Sequence, residues 1–305
     1  MPTDDMSASA IDNAALLERL AAANGIPYRP GAPPAPRRLR TPEGLSLNLI
    51  DWGGDGAPIL FLHGGSLTAH SWDLVCLALG DRFRCVALDL RGHGESDWAE
   101  VYTIDACIAD VAAIVAALGC SRVHVVGMSL GGNIAAHYAH AAGPRLASLT
   151  MVDVGPSVDF AATATMRNFM DQPIAELTLD QLVDAALRAS TRGGQDKILY
   201  RYRHLTQTTA DGRLAWRQDR RKPHDYAHIF AKIQELDALA RDIDCRVLLV
   251  RGALSRVWSD AAAADFTARF RDARWLSIPD AGHNIPEDNP QTLAEALRTF
   301  LSEIA

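Results

Sequence analysis

The chain has 305 residues, 48% of them hydrophobic, and a formal net charge of −7. That length supports one large α/β domain or two small ones, and the acidic balance argues against general nucleic-acid binding. The five cysteines (Cys76, Cys85, Cys107, Cys120 and Cys245) are scattered, odd in number and form no C-x-x-C pair. This pattern argues against a disulfide framework or a zinc site built on cysteines, and suits reduced, mostly buried thiols in the cytoplasm. The start, Met1-Pro2-Thr3-Asp4-Asp5, has no basic or apolar signal region, and no apolar run reaches membrane-spanning length, so no membrane partner is expected.

Ile11 to Ala23 is expected to form a short helix with Ile11, Ala15, Leu16 and Leu20 near one face. Gly25 to Pro36, with five prolines and two glycines, is an extended connector. Strands are expected at Leu45–Ile50, Pro58–Leu62, Phe83–Leu88, Val123–Val126 and Leu146–Val154. Ile104 to Leu118 carries an apolar stripe of helical period. Ser157 to Ala240 reads as mainly helical without a strong buried strand. Arg246–Val250 resumes the strand pattern, followed by a helix at Ser259–Phe270, a strand at Trp275–Ile278 and a closing helix at Pro290–Ile304. Residues 1–36 are thus an N-terminal helix and connector, 37–156 and 241–305 an α/β core, and 157–240 a helical insertion of roughly 80 residues, longer than an ordinary connection.

Gly127-Met128-Ser129-Leu130-Gly131 stands between an apolar, β-branched strand and the helix start Gly132-Asn133-Ile134-Ala135. A strand, a sharp turn and a helix with serine at the apex form a nucleophile elbow. Side chains at Gly127 or Gly131 would collide with the neighbouring strand or helix. The free N–H groups of the following helix favour a developing anion.

The chain resembles the α/β-hydrolase superfamily over about Leu39 to Ala305. The resemblance rests on His63-Gly64-Gly65, Asp89-x-Arg91-Gly92-x-Gly94-x-Ser96, Gly127-x-Ser129-x-Gly131 and Ala281-Gly282-His283, in the family's order. The run from His63 to Asp73 is similar to a bacterial branch of small, lid-bearing, esterase-like hydrolases. The resemblance implies a mostly parallel eight-stranded sheet flanked by helices, with the insertion as a cap over the site.

It also implies the site. Ser129 is the expected nucleophile and His283 the expected base. The backbone N–H groups of Gly65 and Leu130 are the expected oxyanion hole. His63 and the Asp89–Ser96 turn are expected to be structural. The acid departs from the family pattern: where relatives carry aspartate after the strand ending near Gly252, this chain has Arg256, whose like charge opposes an imidazolium. Either the triad is broken or the acid comes from elsewhere. Asp153, 24 positions after Ser129, is the expected substitute, as in the dehalogenase-like branches; Asp260 and Asp280 are outsiders, the latter expected to order the His283 loop. No metal or cofactor is expected.

Between Arg192 and Lys232 ten Lys or Arg face four Asp, including Arg201, Arg203, Arg213, Arg217, Arg220, Arg221 and Lys222. They would attract a carboxylate-bearing substrate or, the favoured reading, form a solvated surface salt-bridged to the acidic core. Trp216, Trp258 and Phe169 are expected in the core rather than against substrate. The leading function is hydrolysis of a small carboxylic ester or lactone through an acyl-enzyme. The alternatives are C–C bond hydrolysis of ring-cleavage products on the same triad, and ligand binding without catalysis, which Arg256 motivates.

Overall fold

A computed structural model describes residues 12–189, 192–221 and 225–304. Ile11 and Lys222 therefore lie outside the described residues. The N-terminal helix α1 (Asn13–Ala23) buries Leu16, Leu17, Leu20 and Ala21. Ala15 is exposed, so the buried face is turned slightly from the expected one. The strands and helices of the first half are β1 (Pro36–Arg40), β2 (Ser46–Asp51), β3 (Pro58–Leu62), α2 (Asp73–Leu79), β4 (Arg84–Leu88), α3 (Ile104–Ala117), β5 (Val123–Met128), α4 (Leu130–Ala142) and β6 (Leu146–Val152). The insertion holds α5 (Ala164–Met170), α6 (Leu179–Ala189), α7 (Gln195–Leu205), β7 (Thr206–Thr208), β8 (Leu214–Trp216) and α8 (Tyr226–Leu239). The chain closes with β9 (Arg246–Gly252), α9 (Asp260–Thr267), β10 (Ala273–Ile278), α10 (Ile285–Asp288) and α11 (Pro290–Ser302).

Eight strands form one sheet in the order β1-β2-β4-β3-β5-β6-β9-β10. The β1–β2 and β2–β4 pairs are antiparallel and the rest parallel. Alternation along the strands divides the core. Ile59, Phe61, Cys85, Ala87, Val126, Met128, Leu248 and Val250 join one apolar cluster with residues of α2 and α11. Leu60, Leu62, Val86, Leu88, Val123, Val125, Val247 and Leu249 join the other, with residues of α3, α4 and α9. A two-residue side-chain period in strands buried on both faces gives this division.

Two strands of the insertion, β7 and β8, pair as an antiparallel hairpin within the segment expected to be mainly helical. They are three residues each, too short for a periodic signal. No strand was expected at β1, whose first residue, Pro36, closes the expected connector; proline is tolerated there because it opens an edge strand. α6, α7 and the hairpin share the first apolar cluster with α1, whereas α8 sends Ile233 and Leu236 into the second with α4. Trp216 and Trp258 are buried, and Phe169 packs against the core, as expected.

Candidate active site

The parallel strands place their C-terminal ends side by side, where α/β sheets carry their ligands. Met128 of β5 is in register with Val152 of β6, and Val152 with Val250 of β9. The residues that follow are Ser129, Asp153 and the loop after Gly252.

Ser129 stands between β5 and α4 with φ 51° and ψ −114°. A positive φ on a residue with a Cβ is strained, and hydrogen bonds on both sides hold it. The Ser129 N–H donates to the Val152 carbonyl at 2.9 Å, and its carbonyl accepts from the Asn133 N–H at 3.0 Å. The glycines make the turn possible. A Cβ on Gly127 would lie 2.2 Å from the Gly131 carbonyl oxygen, and one on Gly131 would lie 2.3 Å from that of Leu62. Gly132 is constrained as well, by Val154 at 2.5 Å.

The loop after β3 reaches the elbow. A Cβ on Gly65 would sit 3.8 Å from Leu130 Cδ2, so these two residues are neighbours, and Gly65 is exposed. His63 is fully buried: its Nε2 accepts from the Leu90 N–H at 3.0 Å, and its Nδ1 lies 2.8 Å from the Gly64 carbonyl. Nε2 must keep a lone pair for this, so the proton sits on Nδ1. Burial outweighs the attraction of Asp89 and holds the ring neutral, below its ordinary range. Asp89 accepts from the N–H groups of Ala69 and Glu95 and from Asn48 Nδ2, at 2.7, 2.9 and 2.8 Å. Arg91 makes a two-point pair with buried Asp110, at 2.7 and 2.8 Å. Both motifs tie loops together, as the sequence led us to expect.

His283 Nδ1 lies 2.7 Å from Asp153 Oδ2. Asp153 is fully buried, with φ 52°, and its N–H donates to the Val250 carbonyl at 2.7 Å. Its other partners come from the end of β9 and the loop that follows: the Gly252 N–H to Oδ1 at 3.3 Å and the Ser255 hydroxyl to Oδ2 at 2.5 Å. Against an ionised carboxylate, which only accepts, the His283 proton belongs on Nδ1, leaving the Nε2 lone pair free. The His283 loop rests on the same strand end, since a Cβ on Gly252 would lie 2.1 Å from the Gly282 carbonyl oxygen.

The other carboxylates are engaged elsewhere. Asp260 pairs with Arg251. The His283 loop is tied by Asp288, which accepts from the Gly282 N–H at 2.9 Å, and by Asn289 Nδ2, which donates to the Pro279 carbonyl at 3.0 Å. Asp280, expected to order this loop, is exposed with φ 56° and gives Arg192 only its backbone carbonyl. Arg256 is exposed and has no hydrogen bond or ion pair with a described residue. Ser255, its neighbour, was not singled out from the sequence, because a loop hydroxyl carries no pattern.

The sequence model described as the alpha/beta hydrolase family matches residues 59–296. The chain belongs to that family. An esterase of Mycobacterium tuberculosis is 30% identical over 282 residues, which span 88% of this chain and 90% of the relative. A solved structure of that esterase, from work on its inhibition by transition metals, superposes on this hydrolase with a TM-score of 0.77 at 27% identity, over 96% of this chain and 99% of that one. E-2-(acetamidomethylene)succinate hydrolase superposes with a TM-score of 0.75 at 25% identity, over 88% and 99%. Among the described residues no helix is long and apolar enough to cross a membrane.

Proposed function

We propose that this hydrolase cleaves a small carboxylic ester or lactone through an acyl-enzyme on Ser129. The observation that carries the reading is the 2.7 Å hydrogen bond between His283 and Asp153, at the strand end beside the Ser129 elbow. His283 Nε2 takes the Ser129 proton as Oγ attacks the substrate carbonyl. Asp153 holds the ring in the productive tautomer and stabilises its charged form. The N–H groups of Gly65 and Leu130 receive the oxyanion, with the N-terminus of α4 behind them. His283 then protonates the leaving alcohol, and water repeats the cycle on the acyl-enzyme. Ser255 takes part by holding Asp153. The loop that usually supplies the acid thus supplies a hydroxyl, and the strand end before it an N–H, to the acid on the neighbouring strand.

Ester chemistry is supported by the likeness to the M. tuberculosis esterase over most of both chains. That esterase's inhibition by transition metals suits a reaction that needs a free imidazole. In our reading the insertion at 157–240 is the cap. Its basic side chains hold it to the core, Arg201 to Glu287, Lys197 to Asp288, Arg217 to Glu95 and Lys232 to Asp105. The five cysteines are free, which fits a reducing compartment such as the cytoplasm.

A second reading, hydrolysis of a dicarboxylate on the same residues, is favoured by the likeness to the succinate-derivative hydrolase and by the exposed guanidinium of Arg256 beside Ser255. Initial rates on matched panels of short-chain esters, lactones and unsaturated dicarboxylates separate the two. The expected result is ester or lactone turnover that disappears in Ser129→Ala. Turnover that survives in Ser129→Ala would overturn both readings.

A further inference from the structure

A second group of polar side chains lies where the core meets the insertion. His70, in the 3₁₀ turn Ala69–Trp72, places Nδ1 2.7 Å from Oδ2 of Asp73, the first residue of α2. From the middle of α7, Tyr200 donates its hydroxyl to the same oxygen at 2.5 Å. His204, one turn on, stacks its ring on His70 with centroids 3.6 Å apart and 25° between the planes.

The group contains two polar atoms that the fold leaves unused. Asp73 Oδ1 and His204 Nε2 are buried and have no hydrogen-bond partner among the described residues. The Asp73 side chain is only 1% exposed. A buried carboxylate oxygen and a buried imidazole nitrogen without partners are each costly, and the cost is removed by a ligand that accepts electron pairs. The nearby cations Lys197 and Arg201 are engaged by Asp288 and Glu287, which leaves His70 as the ion-pair partner of Asp73 among the described residues. A cavity of about 30 Å³ opens beside the group, lined by His70, Ser71, Tyr200 and His204 together with the paired Lys197 and Arg201, with Asp73 behind His70. That is room for one small ion or water.

We propose that His70, Asp73 and His204 bind one divalent transition-metal ion of the zinc, cobalt or nickel kind, joining the core to the insertion. One donor atom from each residue lies within 4.8 Å of the other two. Two imidazoles and a carboxylate are a donor set such ions favour, at about 2.0–2.2 Å for zinc. Closing to that distance requires the His204 ring to turn out of its stack so that Nε2 faces the ion, a side-chain rotation at the end of α7. The site owes nothing to Ser129 or His283. Since its ligands come from α7 and from the core, occupancy clamps the two together.

The test is titration of the metal-stripped, full-length protein with zinc chloride by calorimetry, and with cobalt(II) by visible absorption. The expected result is one ion per chain, with cobalt bands of a four- or five-coordinate nitrogen and oxygen site. Affinity should fall by about 10-fold or more in His204→Phe, which keeps a ring in the stack, and in Asp73→Asn. It should be unchanged in His283→Ala and in the exposed His140→Ala. Zinc should raise the melting temperature of the wild type and not of His204→Phe. Loss of binding in His283→Ala with retention in His204→Phe would place the ion on the Ser129 group and overturn the proposal. Absence of saturable binding, or a six-coordinate cobalt spectrum in the wild type, would overturn it without recourse to any variant.

Discussion

His283 Nδ1 lies 2.7 Å from Asp153 Oδ2, with the Asp153 side chain fully buried and that of His283 30% exposed. The two residues are 130 positions apart, and only the order of strands in the sheet unites them. β9 lies beside β6, so the loop after β9 and the loop after its neighbour β10 both close over the end of β6. A carboxylate there can meet the histidine as readily as one on β9.

Asp153→Asn tests that pairing. An asparagine keeps the shape but presents a donor or a weak acceptor to Nδ1, which allows the wrong tautomer. We expect kcat to fall by about 10³–10⁴-fold while the melting temperature stays close to that of the wild type. Steady-state kinetics and a thermal melt check it, and near-normal turnover would remove Asp153 from the mechanism.

Ser255→Ala removes the hydroxyl that donates to Asp153 at 2.5 Å. The carboxylate then loses a competitor for its charge and also a restraint on its position. The expected outcome is a fall in kcat of about 10-fold with little change in KM, and an acid limb of the kcat/KM profile moved to higher pH. Ser255→Thr, which retains the hydroxyl, should recover most of the loss. An unaltered profile in Ser255→Ala would make the hydroxyl merely structural.

Gly131→Ala puts a methyl group 2.3 Å from the Leu62 carbonyl oxygen. Backbone cannot yield there without moving β3 or α4. Overpacking of this kind costs about 1–3 kcal/mol, and the same shift would displace the Leu130 N–H. A lower unfolding midpoint in urea, together with reduced turnover, is expected. Full stability would mean that the elbow is looser than its geometry implies.

His124 supplies a pH dependence of stability. It lies within β5 with Nδ1 2.8 Å from Ser148 Oγ of β6. Burial, helped by Arg122, pushes its pKa down to about 4. An unfolded histidine titrates near 6.5. The unfolded chain therefore takes up the proton first, and stability is lost as the pH falls from 6.5 towards the folded value. Between pH 7 and pH 5 the loss from this residue is about 2 kcal/mol. His124→Gln, which keeps a hydrogen-bonding group, should show a shallower fall over that window in denaturant titrations. An equal fall would assign the acid sensitivity to other groups.

The parallel core was legible because its strands are uninterrupted apolar runs, such as Pro58–Leu62, each closed by a turn motif. The turns that present Ser129 and His283, the proposed nucleophile and base, were legible because glycines mark them. Asp153 was expected as a substitute acid from its place at a neighbouring strand end once Arg256 departed from the family pattern, with a broken triad and Asp260 left open. Ser255 was invisible, because its role depends on a distance across two loops. Asp288 and Asn289 were missed as ties of the His283 loop for the same reason: Asp280 is nearer in sequence, yet its left-handed backbone leaves the side chain exposed. The cluster of His70 and Asp73 with His204, on a helix of the insertion, had no sequence spacing to announce it.

The most direct measurement is labelling by an activated serine-directed phosphonate, with the adduct located by peptide mass spectrometry in the wild type, Asp153→Asn and His283→Ala. A rapid, single adduct on Ser129, slowed by orders of magnitude in both variants, is the predicted result. No adduct on the folded wild type, or one formed equally fast without His283, would contradict a nucleophile activated by the Asp153–His283 pair and would favour a ligand-binding protein on this fold.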